Sequence, residues 1–283
     1  MQGTARSGDV SIAYSSQGEG PETILLIAGL GCRAADWGQA FPGYLTERYR
    51  VVRFDNRGAG ASSKPDDPFT LEDMAADAIA VLDAVQAART HVVGVSMGGM
   101  IAQLLALDHP ERCASLTLVS TNFGGRDVIA PTAEALALFR PPRGTTAEEI
   151  TRLSMHVLTA PGFAQQHPEA VETMVRIAMA APTPRRAFGA QLQAILESDR
   201  SERVRHITVP TLVIHGDSDT LIPAGNGRAL AERIPGARFE LVESCGHMPM
   251  WERPERLGGL VLDFLAQHAS FHRGGTRRPA PLK

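Results

Sequence analysis

Six short apolar runs recur along the chain: "TILLIA" at 23–28, "RVVRF" at 50–54, "HVVGV" at 91–95, "SLTLVS" at 115–120, "TLVIH" at 211–215 and "RFELV" at 238–242. Each is too short for a helix and lacks polar alternation, so the pattern predicts strands buried on both faces. Between several of them the period lengthens. In "TLEDMAADAIAVLDAV" a Thr-x-x-Asp capping signal at Thr70 and Asp73 precedes a stripe of Met74, Ala78, Val81, Leu82 and Val85, which predicts a helix with one apolar face. Strands alternating with helices predict an α/β chain whose central sheet is mostly parallel and flanked by helices.

The alternation stops between about Asn122 and Arg205. There, Val171, Met174, Val175, Ala178 and Met179 recur at helical spacing, as do Phe188, Leu192, Ile195 and Leu196, and no strand-like run intervenes. The expectation is a core formed by 1–121 and 206–270, with 122–205 inserted as a helical cap, or lid. Such an insertion can cover the carboxyl edge of the sheet, where open α/β sheets bind ligands. The remainder, 271–283, is rich in Gly, Pro and Arg and predicts a flexible tail.

Composition narrows the class. With 43% apolar and 21% charged residues among 283, the chain matches a globular domain rather than a disordered one. A net charge of −3 supplies no field for phosphate backbones, so nucleic acid is not expected as a partner. No run approaches the ~18 apolar residues of a membrane span, and the N-terminal stretch lacks a signal-peptide core. Cys32, Cys113 and Cys245 form no disulfide framework, which fits a cytoplasmic location. Oligomeric state is not legible.

Candidate chemistry begins at Gly94-Val95-Ser96-Met97-Gly98, a G-x-S-x-G pattern followed by Gly99, between an apolar strand and the helix-like "MIAQLLALDHP". That context predicts a sharp strand-to-helix turn projecting the Ser96 hydroxyl as a nucleophile. A serine needs a histidine base and an acid behind it. His247, in "SCGHMPMWERP", follows the last strand-like run and precedes the terminal helix. Asp217 and Asp219, in "VIHGDSDTLIP", lie beyond the strand before. Asp219 is assigned as the acid, and Asp217 is expected to hold the turn through local backbone hydrogen bonds. Reading His215, Asp217 and Asp219 as metal ligands finds no companion cluster, so neither metal nor cofactor is expected. The backbone N–H groups of Met97 and Leu30, the latter in "IAGLGCRAADW", are the candidate oxyanion donors. "RGAGAS" lacks the full dinucleotide fingerprint and is read as a turn after a strand.

With these residues in place the chain resembles the α/β-hydrolase superfamily over nearly its whole length, through "AGLG", "FDNRGAGASS", "GVSMGG", "HGDSDTLIP" and "GHMPMWERP" in that order. It looks most like the lid-bearing esterases and lactonases, notably 3-oxoadipate enol-lactonases and polyketide methylesterases. Ala28 departs from the histidine many relatives carry before the first oxyanion-loop glycine. The resemblance implies the α/β-hydrolase fold, with the cap inserted before the strand that carries the acid. It also implies a serine hydrolase acting on a small to medium, largely apolar ester or lactone. A C–C hydrolase, a thioesterase, a cofactor-free perhydrolase and a non-catalytic receptor on the same shell are the alternatives. In the insertion, Met155, Met174 and Met179, with Phe123, Phe139, Phe163 and Phe188, are candidates for the pocket wall. Arg185 and Arg186 could meet an anionic substrate, with surface pairing the simpler reading.

Overall fold

In the computed structural model, which describes residues 1–268, eight strands form one sheet: β1 (Gln2–Ser7), β2 (Val10–Gln17), β3 (Thr23–Ile27), β4 (Arg50–Phe54), β5 (Thr90–Val95), β6 (Cys113–Val119), β7 (Thr211–Gly216) and β8 (Arg238–Val242). The order is β1-β2-β4-β3-β5-β6-β7-β8. From β4 to β8 every pairing is parallel, and β1 and β2 are added antiparallel at one edge. The six apolar runs correspond to β3 through β8. The anticipated tail at 271–283 lies outside the described residues.

Two strands escaped the sequence reading. In β1 and β2 only Ala5 and Ile12 are fully buried, because an edge hairpin packs one face and leaves the other wet. A second correction concerns β8, which is expected to be buried on both faces but has no fully buried residue before Val242. It is the opposite edge of the sheet.

In the central strands successive residues feed two cores. Leu25, Ile27, Val92, Leu116 and Leu118 pack with the helices Leu71–Ala84 and Met97–Asp108 on one face. Ile24, Leu26, Val93, Val95 and Ile214 pack with Phe41 and with Leu257, Val261 and Phe264 of the helix Pro254–His268 on the other. Burial on both sides explains why these strands read as continuous apolar runs. The capping signal at Thr70 forms a reciprocal box with Asp73.

The topology decides where chemistry can sit. The chain winds outward from β3 to β4, then returns across β3 to β5, so the loops leaving β3 and β5 part at a switch point on the carboxyl edge. Crevices of open α/β sheets form there. The turns after β6, β7 and β8 reach the same edge. Between β6 and β7 the helices Ala133–Ala137, Ala147–Leu158, Phe163–Gln166, Pro168–Ala180 and Arg185–Glu197 enclose a small core of their own from Met155, Phe163, Val171, Met174 and Val175. An isolated antiparallel bridge between Gly124 and Asp199 joins the segment's two ends.

Candidate active site

Ser96 stands between β5 and the helix Met97–Asp108 at φ +56°, ψ −123°. A side chain in that region costs on the order of 1–3 kcal/mol and persists only where the surroundings over-determine it. Here they do. The Ser96 N–H donates to Val119 O at 2.9 Å, and its carbonyl accepts from Gly99 N–H at 2.9 Å and from Thr121 Oγ1 at 2.7 Å. The glycines around it are required by space: a Cβ on Gly94 would run into the Gly98 carbonyl, one on Gly98 into the Ile27 carbonyl, and one on Gly99 would lie 2.6 Å from the Thr121 methyl. The strand-to-helix turn closes only because these backbones touch.

His247 and Asp219 come together at the ends of β8 and β7. His247 Nδ1 lies 2.7 Å from Asp219 Oδ2, and both residues are buried. An ionised carboxylate only accepts, so Nδ1 carries the proton and Nε2 is left with its lone pair. The other oxygen, Asp219 Oδ1, accepts from Leu221 N–H at 3.0 Å and Ile222 N–H at 2.8 Å, which fixes the carboxylate plane. Ser96 and His247 line one cavity of about 850 Å³. The Ser96 hydroxyl forms no hydrogen bond with a partner among the described residues, and in unliganded enzymes such contacts often tighten only when substrate binds.

Asp217 behaves differently from expectation. It does hold backbone amides, but those of Ser244 at 3.1 Å and Cys245 at 3.2 Å, far along the chain on the approach to His247. Burial works against ionising it, yet these bonds and one from the Ser218 hydroxyl bring its pKa below the usual carboxylate value. His215 is buried with Nε2 2.9 Å from Ile222 O, and burial lowers its pKa. Among the described residues no group of three His, Cys, Asp or Glu is arranged to hold a metal ion.

The loop after β3 runs beside the serine. A Cβ on Gly29 would lie 3.2 Å from Ser96 Cβ. Leu30 lines the cavity, and its N–H has no acceptor among the described residues. Met97 does not line the cavity; its side chain is in the core, while its N–H heads the helix, where amides lack an intrahelical acceptor.

Residues 22–254 match the family model for the alpha/beta hydrolase fold. The chain belongs to that family. It is 31% identical over 268 residues to a 2-hydroxy-6-oxononadienedioate/2-hydroxy-6-oxononatrienedioate hydrolase of Paraburkholderia phymatum, covering 92% of each chain. It is 28% identical to 3-oxoadipate enol-lactonase 2 of Acinetobacter baylyi, covering 91% of this chain and 94% of that one. The crystal structure of the enol-lactonase from Burkholderia xenovorans superposes with a TM-score of 0.82 at 25% identity, over 93% of this chain and 100% of that one.

Several residues that build the site in this α/β-hydrolase were not singled out from sequence. Buried Glu252 accepts from Gly246 N–H at 3.0 Å and Met248 N–H at 3.2 Å, on either side of His247, and from Ala160 N–H at 2.7 Å. Burial pushes its carboxyl up against the opposing effect of those bonds. The "FDNRGAG" turn is more than a strand exit: Asp55 accepts from Ala34 and Ala61 N–H groups, both at 2.8 Å, and Asn56 donates to Ala28 O at 2.9 Å. Arg57 makes a buried two-pronged ion pair with Asp77 at 2.6 and 2.7 Å.

The cavity wall also revises the candidate residues. Met155, Met174, Met179, Phe139 and Phe188 line it, whereas Phe163 belongs to the inserted segment's core and Phe123 to the main core. The two arginines separate. Arg186 pairs with Asp66; Arg185 lines the cavity and has no partner among the described residues. Cys32 is half-buried at the wall and Cys245 is fully buried, and burial raises both thiols well above the ordinary range.

Proposed function

We propose that this α/β-hydrolase is a serine hydrolase that cleaves a carboxylic ester or lactone of a small to medium, largely apolar substrate through an acyl-enzyme. The observation that carries the reading is the buried His247–Asp219 pair opening onto the same cavity as Ser96 on its strained turn. His247 Nε2 takes the Ser96 proton as Oγ bonds to the carbonyl carbon. The carbonyl electron pair moves to oxygen, where the Leu30 and Met97 N–H groups receive it. Collapse breaks the bond to the alcohol, which leaves with the proton from His247. Water, deprotonated by the same nitrogen, then releases the acid and regenerates the serine.

A cavity of about 850 Å³ lies within the range of small-molecule sites. Its apolar wall comes from the segment between β6 and β7, which on this reading acts as a cap that sets substrate choice. A second reading, hydrolysis of an oxo-diene-dioate of the kind named for the Paraburkholderia protein, uses the same three residues. It is favoured by that likeness and by Arg185, a cation on the cavity wall that is without a partner among the described residues and is suited to a carboxylate.

The test is release of 4-nitrophenol from short acyl esters, and of acid from a lactone panel, by wild type and Ser96→Ala. Turnover by wild type and a loss of roughly 10⁴-fold or more in the variant is expected. Equal turnover by both, or none by either, contradicts the ester and lactone reading; with none by either, turnover of an oxo-diene-dioate supports the second reading, and its absence points to a non-catalytic receptor.

A further inference from the structure

The loop that offers the Leu30 N–H is held by the inserted helices as well as by the sheet that bears it. Cys32 N–H donates to Gly29 O at 3.2 Å, closing a four-residue turn with Leu30 and Gly31 at its centre. Gly31 has φ +69°, and Leu30 is not among the residues with positive φ, so the turn is type II. Such a turn differs from type I by a flip of its central peptide, here Leu30–Gly31. A flip would exchange the Leu30 carbonyl and the Gly31 amide one peptide away from the candidate oxyanion donor.

One side chain of the inserted segment opposes that flip directly, and a second pins the peptide that follows it. Gln191, with no exposed surface, accepts the Gly31 N–H through Oε1 at 2.8 Å and donates from Nε2 to Arg57 O at 2.7 Å. Thr183 Oγ1 donates to the Gly31 carbonyl at 2.8 Å. Between them in sequence, Phe188 packs so closely that a Cβ on Gly31 would lie 2.9 Å from its ring. Ala187, on the same helix, sits 3.1 Å from where a Gly58 Cβ would be. Gln191 thus clamps the turn after β3 to the turn after β4, and the Gly31 residue is gripped at both its amide and its carbonyl.

We infer that Gln191 is a positioning residue for the oxyanion loop: its amide locks the Leu30–Gly31 peptide, so the Leu30 N–H is preorganised only while the helix Arg185–Glu197 is seated on the core. The inference rests on the serine-hydrolase reading and on Leu30 as a donor. A side chain that only anchored the helix would matter to substrates large enough to reach it. One that fixes the oxyanion loop matters to every ester, and acts on the transition state rather than on ground-state binding.

The experiment compares wild type with Gln191→Met, similar in volume but able to make neither hydrogen bond. It reads kcat and KM for 4-nitrophenyl acetate and 4-nitrophenyl octanoate, and the Ki of a phenylboronic acid. Losing an oxyanion donor outright costs about 10²–10³-fold, so a loosened one is expected to lower kcat by roughly 10- to 100-fold on both esters. The boronate Ki should rise in step, with the acetate KM changed less than about threefold. A loss confined to octanoate, a loss carried by KM, or no loss overturns the inference. If Gln191→Met does not fold, Thr183→Val releases the same turn from its carbonyl side and must show the same signature at smaller size; full activity there overturns it equally. Wild type inactive on both esters sinks the hydrolase reading instead. In that case amide exchange over residues 29–33 still decides the point: faster in the variant supports the clamp, unchanged refutes it.

Discussion

Ser96 and His247 face one cavity from two turns that are held in unlike ways. The serine turn is fixed mainly by backbone contact: glycines at 94, 98 and 99 let β5, β3 and the Thr121 loop close up, with the Thr121 hydroxyl the one side chain that bonds the turn, and the strain at Ser96 is held in place by that packing. The histidine turn is fixed mainly by side chains. Asp217 holds Ser244 and Cys245, Glu252 holds Gly246 and Met248, and the carbonyl of Leu158 takes the His247 N–H at 2.6 Å. Two of these anchors, Asp217 and the Leu158 carbonyl, lie far away in sequence. The first arrangement tolerates no added atom, whereas the second tolerates shape-preserving changes but not a change of hydrogen-bonding character.

Substitutions that separate the two modes sharpen this contrast. Asp219→Asn preserves the shape of the histidine side but favours the wrong imidazole tautomer, and kcat should fall by about 10⁴-fold with little change in fold. A far-ultraviolet spectrum and a melting curve like those of wild type are the accompanying check. Gly98→Ala acts oppositely. Its Cβ would overlap the Ile27 and Ala28 carbonyls, so stability should drop by about 3 kcal/mol by denaturant titration, since overpacking of a rigid contact has no flexible side chain to yield. A fully stable Gly98→Ala protein would break the comparison.

Glu252→Gln should have the smallest effect, about tenfold in kcat, because one carbonyl oxygen still accepts while the other position now presents a donor to backbone amides. It also has a pH signature. Burial raises the Glu252 pKa in the folded state, so its contribution to stability is fully present below the ordinary glutamate range and is lost as pH rises through the folded value. The melting-temperature difference, wild type minus Glu252→Gln, should therefore shrink as pH rises across that acidic window. A difference that grows with pH over the same window would mean the carboxyl is stabilised as an anion.

The same contrast explains what the sequence could reveal. Glycine clusters and doubly buried strands leave local marks, so β3 through β7 and the turn around Ser96 were readable from spacing alone. Asp219 and His247 stand out because each follows a strand end, and the parallel sheet brings strand ends to one edge. Gln191 and Glu252 leave no such mark: in "FGAQLQAILE" and "PMWERPERL" they are polar residue types that usually face solvent, and Gly31, Arg57 and Ala160, whose backbone they hold, are brought near only by the tertiary fold. Asp217 was assigned a local role for the same reason, since nothing nearby in sequence points to Ser244. β1 and β2 went unread because an edge hairpin that fully buries little beyond Ala5 and Ile12 has no apolar run to display.

At the heart of the proposed mechanism, Ser96 Oγ is the nucleophile that forms the covalent acyl-enzyme. Mass spectrometry after treatment with a fluorophosphonate tests it most directly. One adduct per chain is expected, on the peptide containing Ser96, forming in proportion to the loss of ester turnover and greatly slowed in Asp219→Asn. Labelling at another residue, or complete loss of turnover with Ser96 unmodified, would contradict it.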